Sequence, residues 1–125
     1  MPQSIFDLQA ELCRTMANAT RLRIVHRLRA GPAAVGTIAQ ATELAQAKVS
    51  QHLAVLRAHG IVVLQRQGAE TVYRIAIPKL LHICDLMREV LTEQAAERSK
   101  LMNAIRSEKQ GTSKRVKGES KQVDK

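Results

Sequence analysis

Apolar residues recur along this chain of 125 residues at two periods. The spacing is three to four residues through most of it and two residues in one short stretch, which marks helices interrupted by a strand pair. Ile5, Leu8, Leu12 and Met16 form one stripe and predict a helix over 4–17. Asn18 is placed to cap a second helix over 19–30, with Leu22, Val25 and Leu28 turned inward, and Gly31-Pro32 stops it. A short helix is predicted over 35–42 from Val35, Ile38 and Ala39. After the turn Glu43-Leu44-Ala45, Val49, Leu53 and Leu56 predict a helix over 46–59, which Gly60 ends. The period then drops to two. Segments 61–67 and 71–77 are β-rich and joined by Gly68-Ala69-Glu70, a hairpin signal. Pro78 opens a last helix, expected to reach Arg106, whose seam is Leu80, Cys84, Met87, Leu91, Ala95, Arg98, Met102 and Ile105.

So long a helix exceeds what a small domain can cover. Its seam is expected to pack on the same helix, or on the first helix, of a second copy. Residues 107–125 have two valines as their only apolar side chains and are expected to be a disordered basic tail. The chain thus reads as one domain over 1–106 followed by that tail.

A short helix, a tight turn and a polar-faced helix make a helix-turn-helix, and a basic hairpin placed directly after it makes a wing. The expected fold is therefore mainly α with a small β-hairpin, a winged helix-turn-helix with a helical dimer interface. The 46–59 helix has two faces. Val49, Leu53 and Leu56 are apolar, while Lys48, Ser50, Gln51 and His52 cluster in its first turns. Short donors at the N-terminal end of a helix suit base edges and phosphates in the DNA major groove. Arg66 and Arg74 flank the hairpin, where they can grip the phosphate backbone or the minor groove.

Composition narrows the picture. Aromatic residues number two, Phe6 and Tyr73, so the core is aliphatic and stacking on single strands is excluded as the main mechanism. The formal charge is +9, of which +5 lies in residues 1–105 and +4 in 106–125. This basic balance is not confined to the tail and implies an anionic partner. No apolar run has membrane-spanning length and no signal peptide is visible, so a cytoplasmic location is expected.

The segments Met16–Ile24, Val49–Leu53, Leu56–Val62, Arg66–Gly68 and Val72–Ile75 resemble, in order and spacing, the ArsR/SmtB class of bacterial winged-helix repressors. The likeness covers about residues 8–92. It implies a homodimer joined through first and last helices, which binds a double-stranded operator and is released by a chemical signal. It also implies DNA contacts at Gln46, Lys48, Ser50, Gln51 and His52, with Arg66 and Arg74 as wing contacts. Two positions depart from the family pattern. Glu43 stands where a turn glycine is usual and Ala45 where a serine cap is usual.

The family's metal sites are not legible in this chain. The short third helix reads Gly36-Thr37-Ile38-Ala39-Gln40-Ala41-Thr42 and offers no thiolate for a soft ion. The places of the last-helix zinc site hold Ile77, Lys79, Val90 and Glu93, one ligand type in four. No metal or cofactor is therefore expected, and His82 and Asp85 beside Cys84 read as non-ligating. Cys13 and Cys84 fall on the first and last helices. They admit two readings, a thiol switch or two small apolar side chains in a helical interface. No paired carboxylates, nucleophile set or phosphate-cradling loop points to an enzyme. The leading reading is a dimeric sequence-specific repressor. The alternative is a non-specific nucleoid-type DNA-binding or protein-interaction module.

Overall fold

The computed structural model describes residues 3–118, with side chains as far as Glu108. It contains α1 (Ile5–Met16), α2 (Ala19–Leu28), α3 (Val35–Thr42), α4 (Gln46–Ala58), β1 (Val62–Gln67), β2 (Glu70–Ile75) and α5 (Lys79–Gly118). The chain forms two compact units. One ends at His82, and the other begins at Ile83 and consists of the remainder of α5.

Each boundary in the first unit has a local cause. Ser4 and Asp7 make a reciprocal capping box at the start of α1, with both bonds 3.1 Å long. The Asn18 Oδ1 accepts the Arg21 N–H at 3.0 Å and starts α2. Gly60, at φ 72°, closes α4 in a Schellman motif. The Ile61 N–H reaches the Leu56 carbonyl and the Gly60 N–H reaches that of Arg57. The same closure ends α3, but Glu43 occupies the left-handed position at φ 58°. There Leu44 bonds back to Ala39 and Glu43 to Gln40. A residue with a Cβ in this conformation costs about 1–2 kcal/mol, which glycine avoids.

The core of this unit is aliphatic. Ile24, Val25, Ile38, Val49, Leu53, Leu56, Ile61 and Val62 are almost completely buried. They come from α2, α3, α4 and the entry to β1, and α4 packs on α2, α3 and β1. Ile24 belongs to this core although the expected inward set on α2 was Leu22, Val25 and Leu28. Leu22 is only half-buried.

The hairpin is antiparallel, in register from Val62 opposite Ile75 to Gln67 opposite Glu70. Its turn is shorter than expected because Glu70 already pairs in β2, leaving Gly68 (φ 68°) and Ala69 as the turn. Ala33, between α2 and α3, exchanges two backbone hydrogen bonds with Tyr73, at 2.8 and 3.0 Å. This bridge ties the wing to the helical body.

The last helix, expected to reach Arg106, continues twelve residues further to Gly118, into the segment read as a basic tail, while residues 119–125 lie outside the described residues. Once a helix is nucleated, each added residue gains a hydrogen bond for little cost. The segment contains no proline, and its Lys, Glu, Gln and Arg residues are good helix formers. At 40 residues α5 is about 60 Å long.

The junction between α3 and α4 is where the local chemistry is weakest. Neither α3 nor α4 has a side-chain cap. Thr42 does not substitute for a cap on α4, because its hydroxyl donates back to the Ile38 carbonyl at 2.7 Å. Replacing Ala45 by Ser is expected to stabilise the fold by about 1 kcal/mol, and Glu43→Gly by a similar amount. Urea unfolding monitored by circular dichroism measures both.

Candidate nucleic-acid interface

The candidate surface is built on α4. Its apolar stripe is fully buried, so the opposite face is presented outward. Gln46, Lys48, Ser50 and Gln51, all in the expected polar set, are exposed, and so is Arg57 in the last turn. The end of α4 that carries the polar cluster has no side-chain cap, and a helix N-terminus in that state favours a phosphate oxygen. Gln46 is exposed but not fully extended from the helix. Its Oε1 lies 3.8 Å from the point a Cβ on Gly36 would occupy, so its amide rests beside α3.

His52 stands apart from this exposed group. It is half-buried, and its Nδ1 accepts a hydrogen bond from Arg21 Nε at 3.3 Å. Burial first, then the positive charges of Arg21 and Lys48, hold its pKa below the ordinary value of 6.5. The ring is therefore neutral at neutral pH and turned partly towards α2. Arg21 was not among the candidate site residues. Its signal was present in the sequence as the third residue after the Asn18 cap, but only packing brings α2 against α4.

The wing arginines differ from one another. Arg66 is exposed and touches only the Thr71 hydroxyl, at 3.5 Å, among its described contacts. Arg74 is held at the base of the hairpin, where Nε donates to Gln65 Oε1 at 2.7 Å and Nη1 to the Ile75 carbonyl at 3.3 Å. A guanidinium already held in place is the poorer phosphate grip. Tyr73, half-buried, takes part in the backbone bridge to Ala33.

Cys13 is exposed on α1 and Cys84 is buried on α5. Among the described residues, no three His, Cys, Asp or Glu side chains gather as a metal site would require. Asp85 instead pairs with Arg88 at 3.4 Å, and His82 is exposed. No described helix is long and apolar enough to cross a membrane.

Known proteins share this arrangement. A helix-turn-helix domain family matches residues 16–65, from the end of α1 into β1. The transcriptional repressor PagR of Bacillus anthracis is 40% identical over 82 residues, covering 65% of this chain and 82% of PagR. The crystal structure of Rv0081 from Mycobacterium tuberculosis superposes with a TM-score of 0.69 at 31% identity, over 78% of this chain and 98% of that one. The homodimeric winged helix-turn-helix domain of Mb0332 from Mycobacterium bovis, described as a possible ArsR-family regulator, gives a TM-score of 0.65 at 32% identity over 74% and 90%. The repressor SmtB of M. tuberculosis is 40% identical over 82 residues.

This chain belongs to the ArsR/SmtB family.

The SmtB match spans 66% of this chain and 61% of SmtB. SmtB and PagR are both transcriptional repressors. Within the ArsR/SmtB frame α4 is the second helix of the helix-turn-helix and β1–β2 the wing.

The lowered pKa of His52 has a pH consequence. The folded state holds the proton less tightly than the unfolded chain does. Stability is therefore unaffected by this group above pH 6.5 and falls as the pH drops below 6.5 through the lowered value. In His52→Gln that part of the acid loss is expected to disappear, which thermal melts of the two proteins between neutral and mildly acidic pH would measure.

Proposed function

We propose that the protein is a dimeric, sequence-specific DNA-binding transcriptional repressor that a chemical signal releases from its operator. The observation that carries this reading is the two-faced α4. Val49, Leu53 and Leu56 are fully buried while Lys48, Ser50 and Gln51 are exposed on the opposite side. Amides and hydroxyls read base edges, whereas non-specific binding needs only charge. Lys48 and Gln51 supply base specificity, with Ser50 and Gln46 beside them. Arg66 supplies affinity from the wing, and Arg74 contributes less because Gln65 and the Ile75 carbonyl engage it.

The dimer is supported by two exposed apolar faces, each on its own unit. On α1, Ile5 is 69% and Phe6 75% exposed, and Leu8 and Leu12 lie open beside them. On α5, Met87, Val90 and Leu91 are exposed. Contiguous apolar surface of this kind marks a protein interface, and a second copy of the chain is its occupant, as in the homodimeric Mb0332 domain. Two-fold pairing would set the recognition helices about 34 Å apart on an inverted repeat. For the signal, a thiol reagent would meet the exposed Cys13 before the buried Cys84.

Selection from a randomised duplex pool is expected to return an inverted repeat, whereas an unstructured outcome would favour a nucleoid-type binder. On the selected duplex, Arg66→Ala should weaken specific and random binding alike, by about tenfold, and reduce the salt slope by about 1. Gln51→Ala should cost about 1–3 kcal/mol on the selected duplex only. Equal losses on both duplexes for both variants would dismiss this division of roles.

The dimer is tested separately. Leu8→Asp is expected to weaken self-association by about 2 kcal/mol, because a charge replaces a side chain that would be buried. Sedimentation velocity should show the wild type as two copies and the variant shifted towards one. A wild type that sediments as a single copy would remove the dimer.

A further inference from the structure

Arg21 joins three helices through one side chain and its own backbone. Its N–H is the group held by the Asn18 cap at the start of α2. Its Nη1 donates to the Thr15 carbonyl in the last turn of α1 at 3.0 Å, and its Nε donates to His52 Nδ1 on α4 at 3.3 Å. The Thr15 end is firmly placed, since Thr15 is buried and its hydroxyl is spent on the Glu11 carbonyl at 3.1 Å.

The chemistry of the pair is unambiguous. A guanidinium only donates, so Nδ1 of His52 must accept. A neutral imidazole carries one ring proton, which is then on Nε2. We propose that Arg21 is a positioning residue that locks His52 in the Nε2–H form, making the ring a hydrogen-bond donor towards DNA and never an acceptor. The DNA half of this statement rests on the function proposed above, while the tautomer half does not. A donor at Nε2 matches a phosphate oxygen or the N7 and O6 acceptors of a purine, and it rejects the exocyclic amino groups of adenine and cytosine. Burial first, and then the positive charges of Arg21 from α2 and Lys48 from α4, disfavour protonation of the ring. The same guanidinium connects the end of α1 to the recognition helix. A shift of the Thr15 carbonyl therefore reaches His52 through one rigid planar group. Lysine cannot replace it, because one ammonium lacks the fork that spans both acceptors.

The test uses the full chain labelled with ¹⁵N and a fluorescent duplex selected by the wild type from a randomised pool. Long-range ¹H–¹⁵N spectra at neutral pH are expected to show His52, assigned by its loss in His52→Ala, with Nδ1 bare and Nε2 protonated. Arg21→Ala should give a mixture of tautomers. Each single variant should lose about tenfold in affinity for the selected duplex, and the double variant no more than either alone, because the two residues act as one unit. If Arg21→Ala does not fold, Arg21→Met replaces it, keeping the apolar stem without a donor, with the same mixed tautomer expected. A protonated Nδ1 in the wild type, an unchanged tautomer in the Arg21 variant, or independent losses multiplying to about a hundredfold in the double variant would each overturn the proposal. A wild type that selects no duplex would instead remove the DNA-binding reading, and the spectra would still decide what Arg21 does to the ring.

Discussion

The burial of Val49, Leu53 and Leu56 is the constraint on which the rest of the molecule depends. These side chains leave no measurable surface to solvent and sit where α4 meets α2, α3 and β1. Once they are seated, α4 cannot rotate about its axis without exposing them, and each is worth about 1.5–3 kcal/mol of burial. The outward direction of Lys48, Ser50 and Gln51 follows from that seating, since a helix cannot turn one face in without turning the other out. The core thus aims the polar face, and no polar contact has to do so.

Against that firm seating, the ends of α3 and α4 are lightly held. Glu43 takes a left-handed conformation that glycine would adopt without strain, and α4 begins without a side-chain cap. The two departures have the same location, the turn of the helix-turn-helix. They are tolerated because Ile38 and Ala39 on one side and Val49 on the other are buried, so tertiary packing outweighs the local cost. An open helix start is also the arrangement that leaves backbone N–H groups available to a phosphate.

Charge is distributed by role. Arg21 and Arg74 are engaged by protein acceptors, and Arg66 and Lys48 are carried outward. A count of basic residues cannot separate these groups. The net charge of +9 speaks for an anionic partner, but only hydrogen-bond geometry shows which cations are already committed to holding the protein together. The cysteines differ in the same way, Cys84 in the apolar seam of α5 being buried and Cys13 off the α1 stripe being exposed.

Most of the architecture was legible in the chain itself. Periodicity located all five helices and both strands, because apolar side chains recur on each at its own repeat whether that stripe is buried, as on α4, or left open, as on α1, and Asn18 and Gly60 marked boundaries whose geometry is local. The exposed polar set on α4 was legible for the same reason. Three things were not. The extension of α5 past Arg106 depends on propagation from an existing helix, which composition alone does not register. The bridge from Ala33 to Tyr73 joins residues forty apart, with no periodic signature. The contact of Arg21 with His52 depends on how α2 and α4 pack, so a residue that reads as an ordinary helical arginine becomes the partner of a presumed DNA reader. Repeats and caps are encoded within a few residues of one another. Which side chains meet across the core is decided only when the helices close around it.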